Sequence, residues 1–172
     1  MTKAVAALFA LGTLVGCSTI QNETFTISGG ESVSLPITSG GAAPTENDFV
    51  KMAVAGFLVN GSKGELSYTF GFFVKGSDAL SSVAVEDVSD REAELLVDDH
   101  SPQLRNHYWT GNAAPRTLSD SNLHWILSDN TSIRIYRVTI STASGHTYKL
   151  YQASVYRGEA KPVLRRALTP HG

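Results

Sequence analysis

Residues 65–75 constrain the fold more than any other stretch. Leu66, Tyr68, Phe70, Phe72 and Val74 fall on one parity, while Glu65, Ser67, Thr69, Gly71 and Lys75 fall on the other. A period of two belongs to a β-strand, whereas a helix repeats every 3.6 residues. A strand of this kind lays one face on an apolar core and turns the other to water. The chain must therefore supply a second apolar layer to cover that face.

Residues 132–157 supply one. They read as a hairpin turning at Ser144-Gly145. Pairing residue 143 with 146 sets Val138 opposite Tyr151, Tyr136 opposite Ala153 and Arg134 opposite Val155. Tyr136, Val138, Ile140, Tyr151, Ala153 and Val155 then share one face.

The rest of the chain follows the same grammar. Phe25 and Ile27 alternate with Thr24, Thr26 and Ser28, Gly29-Gly30 turns the chain, and Val33, Leu35 and Ile37 form a second strand. Pro36 cannot donate to a ladder, which places that strand at an edge. Residues 38–47 form a loop. Residues 49–59 carry a faint helix cap in Thr45 and Asp48, but Val50, Val54, Phe57 and Val59 favour a buried strand, joined to residues 65–75 through Asn60-Gly61. Val83, Val85 and Val88 mark a further strand, residues 93–97 another, and residues 123–127 around Trp125 a short one. Residues 102–118 are rich in turn formers and read as a long loop. The tail holds Pro162 and a helical turn at 164–168.

About eight short strands with no long helix predict an all-β fold, an antiparallel sandwich of immunoglobulin-like or transthyretin-like architecture. A lipocalin-like barrel is the alternative. No internal repeat or second domain is visible, so residues 24–172 read as one domain.

The N-terminus has a different character. Lys3 precedes an apolar run from Ala4 to Val15, which ends on Gly16-Cys17. The run has the length of a secretory h-region and is too short for a membrane span, which takes about 20 residues. Leu14-Val15-Gly16-Cys17 resembles the lipobox of bacterial lipoproteins. The resemblance covers residues 1–17 alone. It implies removal of residues 1–16, acylation of Cys17, and a lipidated tether over 17–23. Ser18, in place of aspartate, implies by the same resemblance the outer membrane and its periplasmic side. Cys17 is the only cysteine, so its acylation leaves no thiol for a disulfide.

Charge excludes some partners. The formal net charge is −2, and −3 once Lys3 is removed, too mild to indicate nucleic acid. Seven acids crowd residues 86–99, and seven bases fall in residues 131–172. Two charged faces for two partners, or neighbouring strands that attract each other, both fit; the second is the simpler reading.

Chemistry is sparse. There is no nucleophile elbow, P-loop, dinucleotide fingerprint or His-Glu-x-x-His. The five histidines are scattered. Asp98-Asp99-His100 resembles a metal cluster only in composition, because successive strand residues face apart, and Glu86-Asp87 fails as an acid pair for the same reason. No cofactor or metal is expected. His107, Tyr108 and Trp109 are the candidate binding residues, since Tyr and Trp concentrate at interface centres. Trp109 also reads as a lid folded back on the core, and that reading is preferred.

The expectation is a non-enzymatic envelope lipoprotein that binds a protein partner or helps an assembly. A periplasmic small-ligand or glycan binder, using Tyr108, Trp109 and Trp125, is the alternative, and an enzyme the least favoured.

Overall fold

The computed structural model describes residues 20–38, 41–60, 65–114, 116–117 and 131–157. The lipobox and Cys17, the strand read at 123–127 with Trp125, and the turn at 164–168 lie outside the described residues. Within them the strands are β1 (Gln21–Thr26), β2 (Ser32–Thr38), β3 (Gly41–Ala42), β4 (Val50–Asn60), β5 (Glu65–Val74), β6 (Leu80–Asp87), β7 (Glu94–Asp99), β8 (Tyr108–Asn112), β9 (Arg116–Thr117), β10 (Thr131–Thr142) and β11 (Thr147–Arg157).

Three antiparallel sheets result, in the orders β11-β10-β6-β7, β4-β5-β8 with β9 also on β5, and β1-β2-β3. They do not close, so the fold is a sandwich and not the lipocalin-like barrel. The two larger sheets enclose the main core. Tyr68, Phe70, Phe72 and Val74 of β5 are all buried in it, against Tyr136, Val138 and Ile140 of β10 and Val83 and Val85 of β6. Residues 49–59, read as strand despite the cap-like Thr45, are β4.

The hairpin of β10 and β11 differs from its predicted register by one residue. Val138 pairs with Leu150, Tyr136 with Gln152 and Arg134 with Ser154. The cause is the turn. Gly145 N–H donates to the Thr142 carbonyl at 3.0 Å, Thr142 N–H donates to the His146 carbonyl, and Gly145 takes φ +88°. The loop thus holds three residues, Ala143-Ser144-Gly145, with a left-handed glycine closing it, instead of two. A shift of one moves every β11 side chain to the other face. Leu150 joins the main core, while Tyr151 and Ala153 face outward with Ile133 and Ile135.

That outward face is covered in turn. Ile27, Val33 and Leu35 pack on Ile135, Ala153 and Val88, with Phe25 and Ile37 at the margin. The small sheet therefore roofs a second core, and the hairpin is buried on both sides around Ile135 and Ala153. β2 is the middle strand of that sheet and not an edge strand, contrary to the expectation from Pro36. The Pro36 carbonyl accepts from Ala43 N–H at 3.0 Å. One residue's N–H and C=O point to the same neighbour, so the missing donor faces β3, where only two residue pairs form. β1 also begins three residues before Thr24, because Gln21 pairs with Ile37.

Candidate functional site

The stretch 102–118, expected to be a loop, folds into β8 and β9. A two-residue turn starts it: Arg105 and Tyr108 exchange both backbone hydrogen bonds at 2.9 Å across Asn106 (φ 51°) and His107 (φ 62°). Two consecutive left-handed residues define the I′ hairpin turn, and Asn and His both enter that region more readily than most residues. The His107 carbonyl then accepts from Val74 N–H at 2.8 Å, which docks β8 on β5. Phe73 pairs with Tyr108 and Phe72 with Trp109.

Alternation along β8 separates the predicted binding residues. Trp109 points inward and is 1% exposed, its indole stacked on Phe72 with centroids 4.9 Å apart. Its Nε1–H donates to Asp99 Oδ2 at 2.9 Å, so the polar edge is satisfied. Trp109 is thus a core residue and not an exposed binding anchor. His107 sits exposed at the turn. Tyr108 alone lies on the outer sheet face.

There Tyr108 lies across Gly71. A Cβ at position 71 would stand 2.8 Å from Tyr108 Cζ and 3.1 Å from Val54 Cγ1, so only glycine admits the ring. Phe73 packs beside it with centroids 4.7 Å apart. Phe73 is 48% exposed and Val54 is 39% exposed. Val54, Tyr108 and Phe73 therefore make an apolar strip over Gly71 on the outer face of β4-β5-β8. Lys51, Thr69 and Asn112 rim it; the Thr69 hydroxyl donates to Asn112 Oδ1 at 3.0 Å. The sequence reading passed over Phe73 and took Val54 for a buried strand residue. The available signal was Gly71, a glycine inside an otherwise strong strand, which marks a close approach.

The acid run of β6 and the arginines of β10 pair away from the strip. Arg137 pairs with Glu86 across β10 and β6, and its Nε and Nη2 donate to Oε2 at 2.8 Å and Oε1 at 2.9 Å. This bidentate hydrogen bonding holds the Glu86 carboxyl below its ordinary pKa. On the opposite face Arg134 donates to Asp87 at 2.9 Å and to Asp90 at 2.7 Å. Burial works against the Arg134 charge, but the Asp90 hydrogen bond and the Asp87 charge outweigh it and raise its pKa. Asp87 Oδ1 further accepts from the Ser89 hydroxyl at 2.7 Å, and Ser89 Oγ accepts from Ile135 N–H at 2.7 Å. Acid and base runs thus meet across neighbouring strands. Glu86 and Asp87 face opposite sides of their sheet, as alternation demands.

Asp78, Ser144 and His146 cluster at the exposed hairpin tip. The Ser144 hydroxyl donates to Asp78 and lies 2.8 Å from His146 Nδ1. Hydroxyl activation needs the imidazole between hydroxyl and carboxylate. Here the hydroxyl is in the middle, so the cluster braces the turn. His100 Nε2 lies 3.2 Å from Asp98 Oδ2, both exposed. Among the described residues no three His, Cys, Asp or Glu side chains converge on one point.

Two concavities remain. A groove of about 560 Å³ lies beside β8, lined by Asp99, Ser101, Gln103, Arg105, Tyr108, Thr110 and the edge of Trp109. A cleft of about 300 Å³ separates β4 from β11. Compared with known proteins, the chain matches no family model, no curated protein and no solved structure, so its site is read from its own geometry alone.

Proposed function

We propose that the protein is a non-enzymatic lipoprotein of the bacterial envelope, held by acylated Cys17 at the periplasmic side of the outer membrane, where its sandwich binds a protein partner or supports an assembly. The sequence Leu14-Val15-Gly16-Cys17 supports the anchor. The observation that carries the binding role is the strip of Val54, Tyr108 and Phe73 on the outer face of the β4-β5-β8 sheet. An apolar centre with a tyrosine and a polar rim is the anatomy of a protein contact surface.

Two experiments test it. Cys17→Ser abolishes fatty-acid labelling and leaves residues 1–16 uncleaved; incorporation of palmitate by the serine variant would sink the anchor. Phe73→Ala with Tyr108→Ala removes a partner recovered by cross-linking from envelope membranes, at about 2 kcal/mol or more per anchor residue, while the unfolding midpoint moves little. Undiminished recovery with the double variant would exclude the strip as the contact. The groove along β8 favours a second reading, a small polar ligand such as a glycan held by Arg105, Gln103 and Tyr108, its volume being that of a small-molecule site. Saturable glycan binding lost on Arg105→Ala would favour that reading.

A further inference from the structure

We propose that the open side of the β4–β11 cleft is the face held against the lipid surface, so that the domain stands on the bilayer by its β11 edge and points its β7 edge away. The inference rests on the lipoprotein reading and adds an orientation to it.

Chain length supplies the first constraint. β1 begins at Gln21, four residue steps after Cys17, and fully extended chain spans at most about 14 Å over four steps. Acyl groups on Cys17 lie in the bilayer, so Gln21 cannot stand farther than this from the lipid surface. Gln21 pairs with Ile37, and Ile37 pairs with Ala42. Two strand spacings put Ala42 about 10 Å from Gln21. Ala42 lines the cleft, which therefore lies at the tethered end of the molecule. Ile20, the residue before β1, is 61% exposed and adds an apolar side chain there.

The lining supplies the second. Its polar members are turned into the walls. Gln152 Oε1 accepts from Thr45 N–H at 2.8 Å, and its Nε2 donates to the carbonyls of Ala43 at 3.0 Å and Ala153 at 2.7 Å. The Ser154 hydroxyl donates to the Ala55 carbonyl. Beside these satisfied polar groups the cleft presents the alkyl surface of Pro44, Ala53 and Val155, with no charged side chain in the lining. An uncharged alkyl surface suits the headgroup–acyl boundary.

Charge supplies the third. In the order β11-β10-β6-β7 the opposite edge is β7, three strand spacings or about 14 Å away. That edge carries Glu94, Asp98 and Asp99, and Glu92 precedes it. An anionic lipid surface repels this edge and leaves the β11 edge unopposed.

The test uses the lipidated full chain in vesicles of phosphatidylethanolamine and phosphatidylglycerol that carry a nitroxide on a fraction of the headgroups. Because Cys17 is acylated, Ala53→Cys and Leu95→Cys each present one thiol for a bimane probe. Both positions are exposed, Leu95 at 55% on the β7 edge. The expected result is quenching at least about twofold stronger at position 53, beside the cleft, than at 95, on the edge three strand spacings from β11. Pro44→Cys, on the same cleft, repeats the measurement should the bulge at Ala53 resist substitution. Flotation of the vesicles is read in parallel. Protein that fails to float overturns the anchor and the orientation with it. Protein that floats but is quenched equally at both positions, more at 95, or at neither overturns the orientation and leaves the anchor standing.

Discussion

The two cores of this molecule share β10 and β11 but are built differently. On one face the hairpin contributes Tyr136, Val138 and Leu150 to a core rich in rings, with Phe70 edge-on to Tyr136 at 5.0 Å and Phe72 stacked on Trp109. On the other it contributes Ile135 and Ala153 to an aliphatic core of Ile27, Val33, Leu35 and Val88. Two long sheets face to face leave a gap that rings fill, and edge-to-face pairs add to their burial. The small sheet lies over alanines and branched aliphatics, which let backbones come close but remove less area from water. The difference teaches that the main sandwich carries the stability and the small sheet is an added roof.

The largest expected loss sharpens that contrast. Trp109→Ala removes the indole from the main core and the indole donor from Asp99 Oδ2, and should cost about 3–5 kcal/mol in a urea titration. A loss below about 1 kcal/mol would mean the indole is not a core group.

Arg134→Ala should cost about 3 kcal/mol, because the Asp87 carboxylate is left buried without its cation. Pairing Arg134→Met with Asp87→Leu should recover most of it in the same titration. A double variant as weak as the single one would show that the ion pair itself stabilises the sandwich.

Leu35→Ala should cost about 2–3 kcal/mol, and hydrogen exchange should report where. Amides of β1 and β2 should lose protection while those of β5 and β10 keep theirs. Uniform loss across all strands would break the comparison, since the two cores would then unfold as one unit.

The smallest effect belongs to the outer surface. Glu86→Gln should cost at most about 1 kcal/mol near neutral pH, as for other pairs near the surface. Glu86 has a folded-state pKa below its ordinary value of 4.5. Its contribution is therefore fully present above that value and is lost as pH falls through the lower, folded-state value. Wild type and variant should converge in acid; a gap that widens on acidification would reverse the assignment.

Alternation made β5 and the sandwich legible, because a buried face imposes a period of two on a strand; β4 was legible only from its β-branched and aromatic residues and the turn that follows. Turn chemistry was less legible. Ser144-Gly145 looked like a two-residue turn, and the extra residue Ala143 moved Tyr151 and Ala153 to the other core. Pro36 marked a missing donor without saying on which side. Trp109 read as a loop residue because Asn106, Gly111 and Pro115 suggest turns; the strand depends on Asn106-His107 adopting the left-handed turn, which composition does not encode. The candidate strip was visible only as Gly71. Tyr108 covers it from a segment 37 positions away, a pairing no local pattern contains.

The roof over the second core has a consequence in time. Tyr151 hydroxyl donates to Glu31 across 120 residues of chain. A chain made from its N-terminus has β1 and β2 long before β10 and β11 exist, so the apolar underside of the first hairpin waits for nearly the whole sequence to follow. Loop closure over that span delays its docking relative to the local hairpins. Until the last strand arrives, Ile27, Val33 and Leu35 are exposed surface that a chaperone must shield or a neighbouring chain can capture.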